Sequence, residues 1–166
     1  MTQSWDSRVA EVWAAADGLS DEAVLASIDA LVAERTTERG ADDPAALFES
    51  ASVRDYLGRE SDAEPLYRAA IAAGLDGERR PQAVIQLAST LRNLGRAEEA
   101  VALLSDHLER HAADEWTAPG AAFLALALVS AGRERDAASV ALVALSQGLP
   151  AYSAAVRRYA LELRGY

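Results

Sequence analysis

A chain of 166 residues, 51% of them apolar, can bury a sizeable core as one ordinary domain or a short array of repeats. It has no Cys, which excludes disulfide scaffolds, thiolate nucleophiles, iron–sulfur clusters and thiolate zinc sites. Its net charge is −10 and every one of its 16 basic residues is Arg, a balance that argues against nucleic-acid and anionic-membrane partners.

With 38 Ala, 5 Pro and only 6% aromatics, the composition points to an all-α chain. The opening Met-Thr-Gln-Ser-Trp-Asp has neither a cationic start nor an apolar run, so no secretory signal is expected. The longest apolar run, Ala121 to Val129, is half a membrane span at most, and the expected location is cytoplasmic. Apolar spacing of three and four predicts helices over 4–17, 20–38, 44–57, 62–74, 79–94, 97–112, 118–131, 134–147 and 150–164. Trp5 and Trp13 share one face of the first helix, where they are expected to cover the open end of the first hairpin or to dock elsewhere. Residues 36–43 form the expected flexible joint. Asp43-Pro44 then reads as an N-cap followed by Pro at the first helical position. Ser61 and Glu64 have the spacing of a capping box, with Pro65 at the edge of the first turn. Thr117 is placed to cap the seventh helix and Pro150 to start the last.

A repeat underlies these elements. Tyr56-Leu57-Gly58-Arg59, Asn93-Leu94-Gly95-Arg96 and Ser130-Ala131-Gly132-Arg133 follow one another at intervals of 37 residues. Seven residues before each Gly stands an Ala (Ala51, Ala88, Ala125), and five after it another (Ala63, Ala100, Ala137). Small residues let stacked helices approach, and a bulky side chain there would overpack by roughly 1–3 kcal/mol. Each Gly is expected to end the first helix of its pair in a left-handed cap.

This pattern resembles the tetratricopeptide repeat, with Ala51, Gly58, Ala63, Tyr67 and Ala70 matching in the second repeat. The third keeps Ala88, Gly95 and Ala100 but has Leu104 and His107, and the fourth has Ala125, Gly132, Ala137, Ala141 and Ala144. Residues 42–49 and 86–96 resemble, more narrowly, the group-five tetratricopeptide family, over about residues 41–148. The resemblance implies a right-handed α-α superhelix of about four hairpins plus a terminal helix. In that picture 1–40 is a degenerate first hairpin, 41–148 three repeats and 149–166 a capping helix, all in a single domain 1–166. It also implies a soluble bacterial protein that binds a protein or peptide on a concave face lined by first helices. The carboxylate clamp of chaperone-binding members needs Lys, which this chain lacks.

Inner-face positions fall 10, 9, 6, 3 and 2 residues before each Gly. They select Phe48, Glu49, Ser52, Asp55 and Tyr56, then Ile85, Gln86, Ser89, Arg92 and Asn93, then Ala122, Phe123, Leu126, Val129 and Ser130. Phe48, Glu49, Ser52, Tyr56, Gln86, Ser89, Arg92, Asn93 and Phe123 are the expected groove: polar groups for a peptide backbone beside an apolar wall. The plainer alternative is that Gln86, Ser89 and Asn93 satisfy one another or solvent.

Chemistry has little support. There is no phosphate loop and no Gly-x-Ser-x-Gly elbow, so no catalytic residue and no cofactor is expected. His107 and His111 are four apart and could share a metal in a sensor or enzyme, but Leu108-Glu109-Arg110 between them matches no zincin. Packing at His107 and the helix dipole at His111 account for both. Charge is unevenly spread: net −8 over residues 1–50, −4 over 51–116 and +2 over 117–166. On the last helix Tyr152, Val156, Tyr159 and Leu163 share a stripe among Arg157, Arg158 and Arg164. That stripe is expected to pack on the fourth repeat, to serve as a homodimer face, or to meet an acidic end head-to-tail.

Overall fold

The computed structural model describes residues 3–110 and 114–164. All its longer regular elements are α-helices: α1 Trp5–Ala15, α2 Asp21–Arg39, α3 Pro44–Tyr56, α4 Glu60–Ala72, α5 Arg79–Asn93, α6 Ala97–Arg110, α7 Thr117–Ser130, α8 Glu134–Ser146 and α9 Ser153–Glu162. A 3₁₀ turn, Ala16–Gly18, closes α1 two residues earlier than the apolar spacing suggests. The chain divides into two compact units, Met1–Ala83 and Val84–Tyr166, with the boundary inside α5. In the first unit α1 packs on α2, α2 on α3 and α3 on α4; in the second α6 packs on α7, α7 on α8 and α8 on α9. Within each unit these helices lie against their sequence neighbours, the all-α architecture of a tetratricopeptide-like solenoid.

The repeated Gly-Arg has a definite backbone role. Gly58, Gly95 and Gly132 take φ of 68°, 79° and 74°. The Arg after each donates its N–H five residues back, Arg59 to Arg54 at 2.8 Å, Arg96 to Leu91 at 2.9 Å and Arg133 to Leu128 at 2.8 Å. The Gly N–H groups reach Asp55, Arg92 and Val129. These paired bonds satisfy helix-terminal carbonyls as a Schellman cap, and a left-handed residue is required to close it. The Arg side chain is then free to turn forward: Arg96 bonds Glu99 and Arg133 bonds Asp136, each three residues on.

That tight turn corrects the expected start of α4. Arg59, the last residue of the Schellman cap, is also the N-cap of α4, which begins at Glu60 with backbone bonds from Asp62 and Ala63 to the Arg59 carbonyl. Ser61 and Glu64 therefore lie inside the first turns and form no capping box, and Pro65 is an interior proline. Thr117 is likewise the first residue of α7, not its cap. Its hydroxyl accepts from the Asp114 N–H while the Asp114 carboxylate accepts from the Trp116 N–H. Pro150 does not open α9; Tyr152 does, in a left-handed conformation at φ 64°.

Asp43 does cap α3, accepting the Ala46 N–H at 2.9 Å with Pro44 next to it. Arg35 holds the same carboxylate at 2.7 Å. Burial pushes the Asp43 carboxyl up, but the Arg35 guanidinium and the Ala46 N–H outweigh it and leave it below the ordinary range. The joint expected at 36–43 is accordingly tied down: α2 runs to Arg39, and Gly40 bonds back to Thr36.

The small residues lie where close packing needs them. Ala51, Ala63, Ala88, Ala100 and Ala137 are buried, while Ala125 is half-buried. Tyr67, fully buried, fills the space between α3 and α4 with its ring 6.1 Å from that of Phe48. Leu87, Leu91 and Leu104 are likewise sealed, each burial adding roughly 1.5–3 kcal/mol relative to exposure. At the last helix the buried position is Ala160, with Val156 and Leu163 half-buried. Tyr159 is instead exposed under the Arg158 guanidinium, 4.8 Å from its ring, and Tyr152 lies off the helix. The four-residue stripe is therefore split between two faces.

Candidate functional site

In the first unit the inner-face residues of α3 are drawn into an internal polar clamp. Glu49 is only 3% exposed. One carboxylate oxygen accepts the Trp13 indole N–H at 2.9 Å and the other accepts Arg79 Nε, also at 2.9 Å. Arg79 reaches on to Asp6 at 2.9 Å. A carboxylate removed from water is stable only when both oxygens are partnered, and here they are. Although burial lowers the affinity of Arg79 for its proton, Glu49 and Asp6 more than offset that and hold the guanidinium above its ordinary value.

Trp13 belongs to this clamp and Trp5 borders it beneath Arg79. Trp5 donates its indole N–H to the Leu31 carbonyl at 2.8 Å and lies under Arg35 and Arg79, 4.3 and 5.4 Å from its centroid. Trp13 meets the edge of Tyr56 at 5.7 Å. Both rings border the cluster of Val9, Val24, Ile28 and Val53.

Of the expected groove residues on α3, then, Phe48, Glu49 and Ser52 are buried and only Tyr56 is half exposed, at 49%. The Tyr67 hydroxyl approaches Asp55 at 3.3 Å and Ser52 at 3.5 Å. Burial, and next the Asp55 carboxylate, push the Tyr67 phenol far above its ordinary range, so it remains a neutral donor.

The second unit presents a different surface. On α5, Gln86, Ser89 and Arg92 are half-buried and Asn93 is exposed, with Arg92 donating to the Asn93 side-chain oxygen at 3.1 Å. On α7, Phe123 is half-buried while Leu126 and Val129 stand 47% and 52% exposed. The α7 backbone comes close to its neighbours at Gly120, where a Cβ would lie 3.1 Å from Leu108 and 4.0 Å from Ile85 of α5. Within this unit α7 therefore buries Leu124, Ala127 and Leu128 on one side and leaves large apolar groups uncovered on another. A separate cleft of about 610 Å³ opens between α6 and α8 above α7, floored by Leu108, Leu124, Leu128 and Val143 and rimmed by Arg133 and Arg164. Arg133 is taken up by Asp136 and Glu98, and Arg164 donates to Ser139 at 3.2 Å.

His107 is 8% exposed within α6, at a packing position of the repeat. His111 lies outside the described residues. Among the described residues no three of His, Asp and Glu gather as metal ligands, and no helix is long and apolar enough to cross a membrane. Reasoning from spacing missed Arg79 altogether. It stands 30 residues from Glu49 and outside the 37-residue register, so nothing periodic marks it.

No curated protein and no solved structure matches the chain. The family model described as Tetratrico peptide repeat matches residues 44–163, from the first residue of α3 to just beyond α9. The match extends past the end of the fourth repeat and takes in the last helix, which the 37-residue register alone leaves out. Three Schellman-capped helix pairs with Ala at the contact positions account for most of that span. The chain belongs to the group-five tetratricopeptide repeat family.

Proposed function

We propose that the protein is a non-catalytic interaction module that holds a peptide segment of a partner protein on the first-helix face of its second unit. The observation that carries this reading is the exposure of Leu126 and Val129 on α7, a helix that buries Ala121, Leu124, Ala127 and Leu128 on its other side. Large apolar groups left in water beside a packed helix face are what a partner's apolar side chains cover. The polar groups of α5, Gln86, Ser89, Arg92 and Asn93, supply bonding partners for a peptide backbone. Family membership supports the same reading, since helix-pair repeats of this kind act generally as protein-binding scaffolds. On α3, Phe48, Glu49 and Ser52 serve by fixing the scaffold, and Tyr56 offers an accessible ring at its edge.

The test is selection from a displayed library of random peptides. The parent chain is expected to enrich peptides with an apolar anchor. A Leu126→Asp, Val129→Asp variant and an Arg92→Ala, Asn93→Ala variant, both folded by circular dichroism, are expected to lose that enrichment by at least about tenfold, the value of one lost apolar anchor. Equal enrichment by parent and variants would overturn the assignment.

A further inference from the structure

Two exposed surfaces, one in each unit, carry opposite charge. The first is a groove of about 460 Å³ between α1 and α2, floored by Val12, Ala15, Ala30 and Leu31. Leu19 stands 44% exposed at one end of it. Glu11 and Glu34 line its rim. Arg8 is the cation here; it bonds Glu34 at 2.8 Å and feels the field of Glu38 as well. Two carboxylates thus act on this guanidinium and Glu11 adds a third acid at the rim, within a unit that carries 17 Asp and Glu against 8 Arg.

The second surface is the outer stripe of α9. Ala160 is turned into the packed side of the helix. Ala154, Arg157, Arg158, Leu161 and Glu162 line an open depression on the other. Leu161 is 44% exposed. Arg158 stacks on Tyr159, and Arg157 makes no hydrogen bond or ion pair among the described residues. This stripe recurs at three and four residues, as a helix that fits a groove requires.

We propose that the outer stripe of α9 in one copy of this chain docks into the α1–α2 groove of a second copy. Ala154 faces a floor in which Ala15 and Ala30 leave room for a helix at the usual 8–10 Å axial distance. Leu161 and Leu19 cover each other, and Arg157 and Arg158 meet Glu11 and Glu38. The symmetric alternative, α9 against α9, brings four guanidinium groups together and is opposed by their repulsion. The contact is therefore heterologous: each copy keeps one free groove and one free helix, and association propagates unless the ring closes. It occupies neither α5 nor the exposed face of α7, so it is independent of peptide binding there.

The test is sedimentation velocity on the full chain at about 100 µM, enough to populate a micromolar contact. Species larger than a dimer are expected at about 50 mM salt and monomer at about 500 mM, where screening is short-ranged. Arg157→Glu with Arg158→Glu is expected to be monomeric, and so is Glu11→Arg with Glu38→Arg. All four positions are exposed, so circular dichroism should be unchanged. Mixing the two variants pairs the native helix with the native groove and the reversed helix with the reversed groove, so species larger than a dimer are expected to return at low salt. A monomeric parent at low salt, an assembly unmoved by either swap, or a mixture that stays monomeric would each overturn the proposal.

Discussion

At Glu49 a single side chain joins three helices' worth of sequence. Its carboxylate is buried, and its two oxygens hold Trp13 from α1 and Arg79 from the start of α5. Truncation to Ala removes the acceptor for both, leaving a part-buried indole N–H and a half-buried cation with less compensation. Glu49→Ala is expected to lower stability by about 2–4 kcal/mol, below the upper range for sealed ion pairs because Arg79 retains some solvent. Glu49→Gln keeps the shape and one acceptor and should cost about half as much. Urea unfolding followed by Trp fluorescence measures both, and an Ala variant within about 0.5 kcal/mol of the parent would show that the clamp contributes no more than an ordinary surface site. Nothing in the sequence announces this cluster. Trp5 and Trp13 are legible as one helical face, but spacing alone does not say which neighbour that face meets. Arg79 pairs with a residue 30 positions away, and pairing at that range is decided by packing.

Among the elements, the hairpin turns were the most legible feature because their chemistry is local. A Gly at φ near +70° to +80° closes the first helix, and the following Arg both completes the Schellman bonds and caps the next helix. Around Gly95 a Cβ would meet nothing within 4 Å, so the whole cost of Gly95→Ala is conformational. That variant is expected to lose about 1–2 kcal/mol. Gly18, in open space and without a positive φ, supplies the contrast: Gly18→Ala should be neutral or stabilising by about 0.4–1 kcal/mol through the unfolded chain. Thermal melts of the two variants, run side by side, separate the effects, and equal destabilisation would refute the backbone explanation. The same economy explains what the sequence misplaced. Because the Schellman turn ends on Arg59, the residue that caps α4, Ser61 and Glu64 fall too late to act as a box. Pro150 and Thr117 lost their expected roles to a left-handed Tyr152 and an Asp114 turn, neither marked by residue type.

Across the whole molecule, charge is divided more sharply than the total of −10 conveys. Residues 1–83 carry −9 and residues 84–166 carry −1. The first unit spends several of its Arg on pairs, Arg8 with Glu34, Arg35 with Asp43, Arg54 with Asp29 and Arg79 with Glu49 and Asp6. Yet Asp17, Asp21, Glu22 and Glu38 stand exposed on or beside α2 without comparable cations. Their mutual repulsion opposes folding of that unit, whereas attraction between α9 and the acidic groove favours assembly. Salt acts on the two with opposite sign. From about 0.01 M to about 0.1 M salt the screening length falls from about 30 Å to about 10 Å, which relieves repulsion spread over a unit while sparing the half-buried pairs of the clamp. The melting temperature reported by Trp5 and Trp13 is expected to rise by about 2 °C over that range, in a Trp116→Phe background and in the monomeric Arg157→Glu, Arg158→Glu chain. Using the monomeric chain removes any stabilisation that assembly itself lends by mass action. A melting temperature that falls with salt would mean that the exposed ion pairs outweigh the excess of carboxylates, and the acidic surface would then have to be understood as structural rather than as charge held ready for a basic partner.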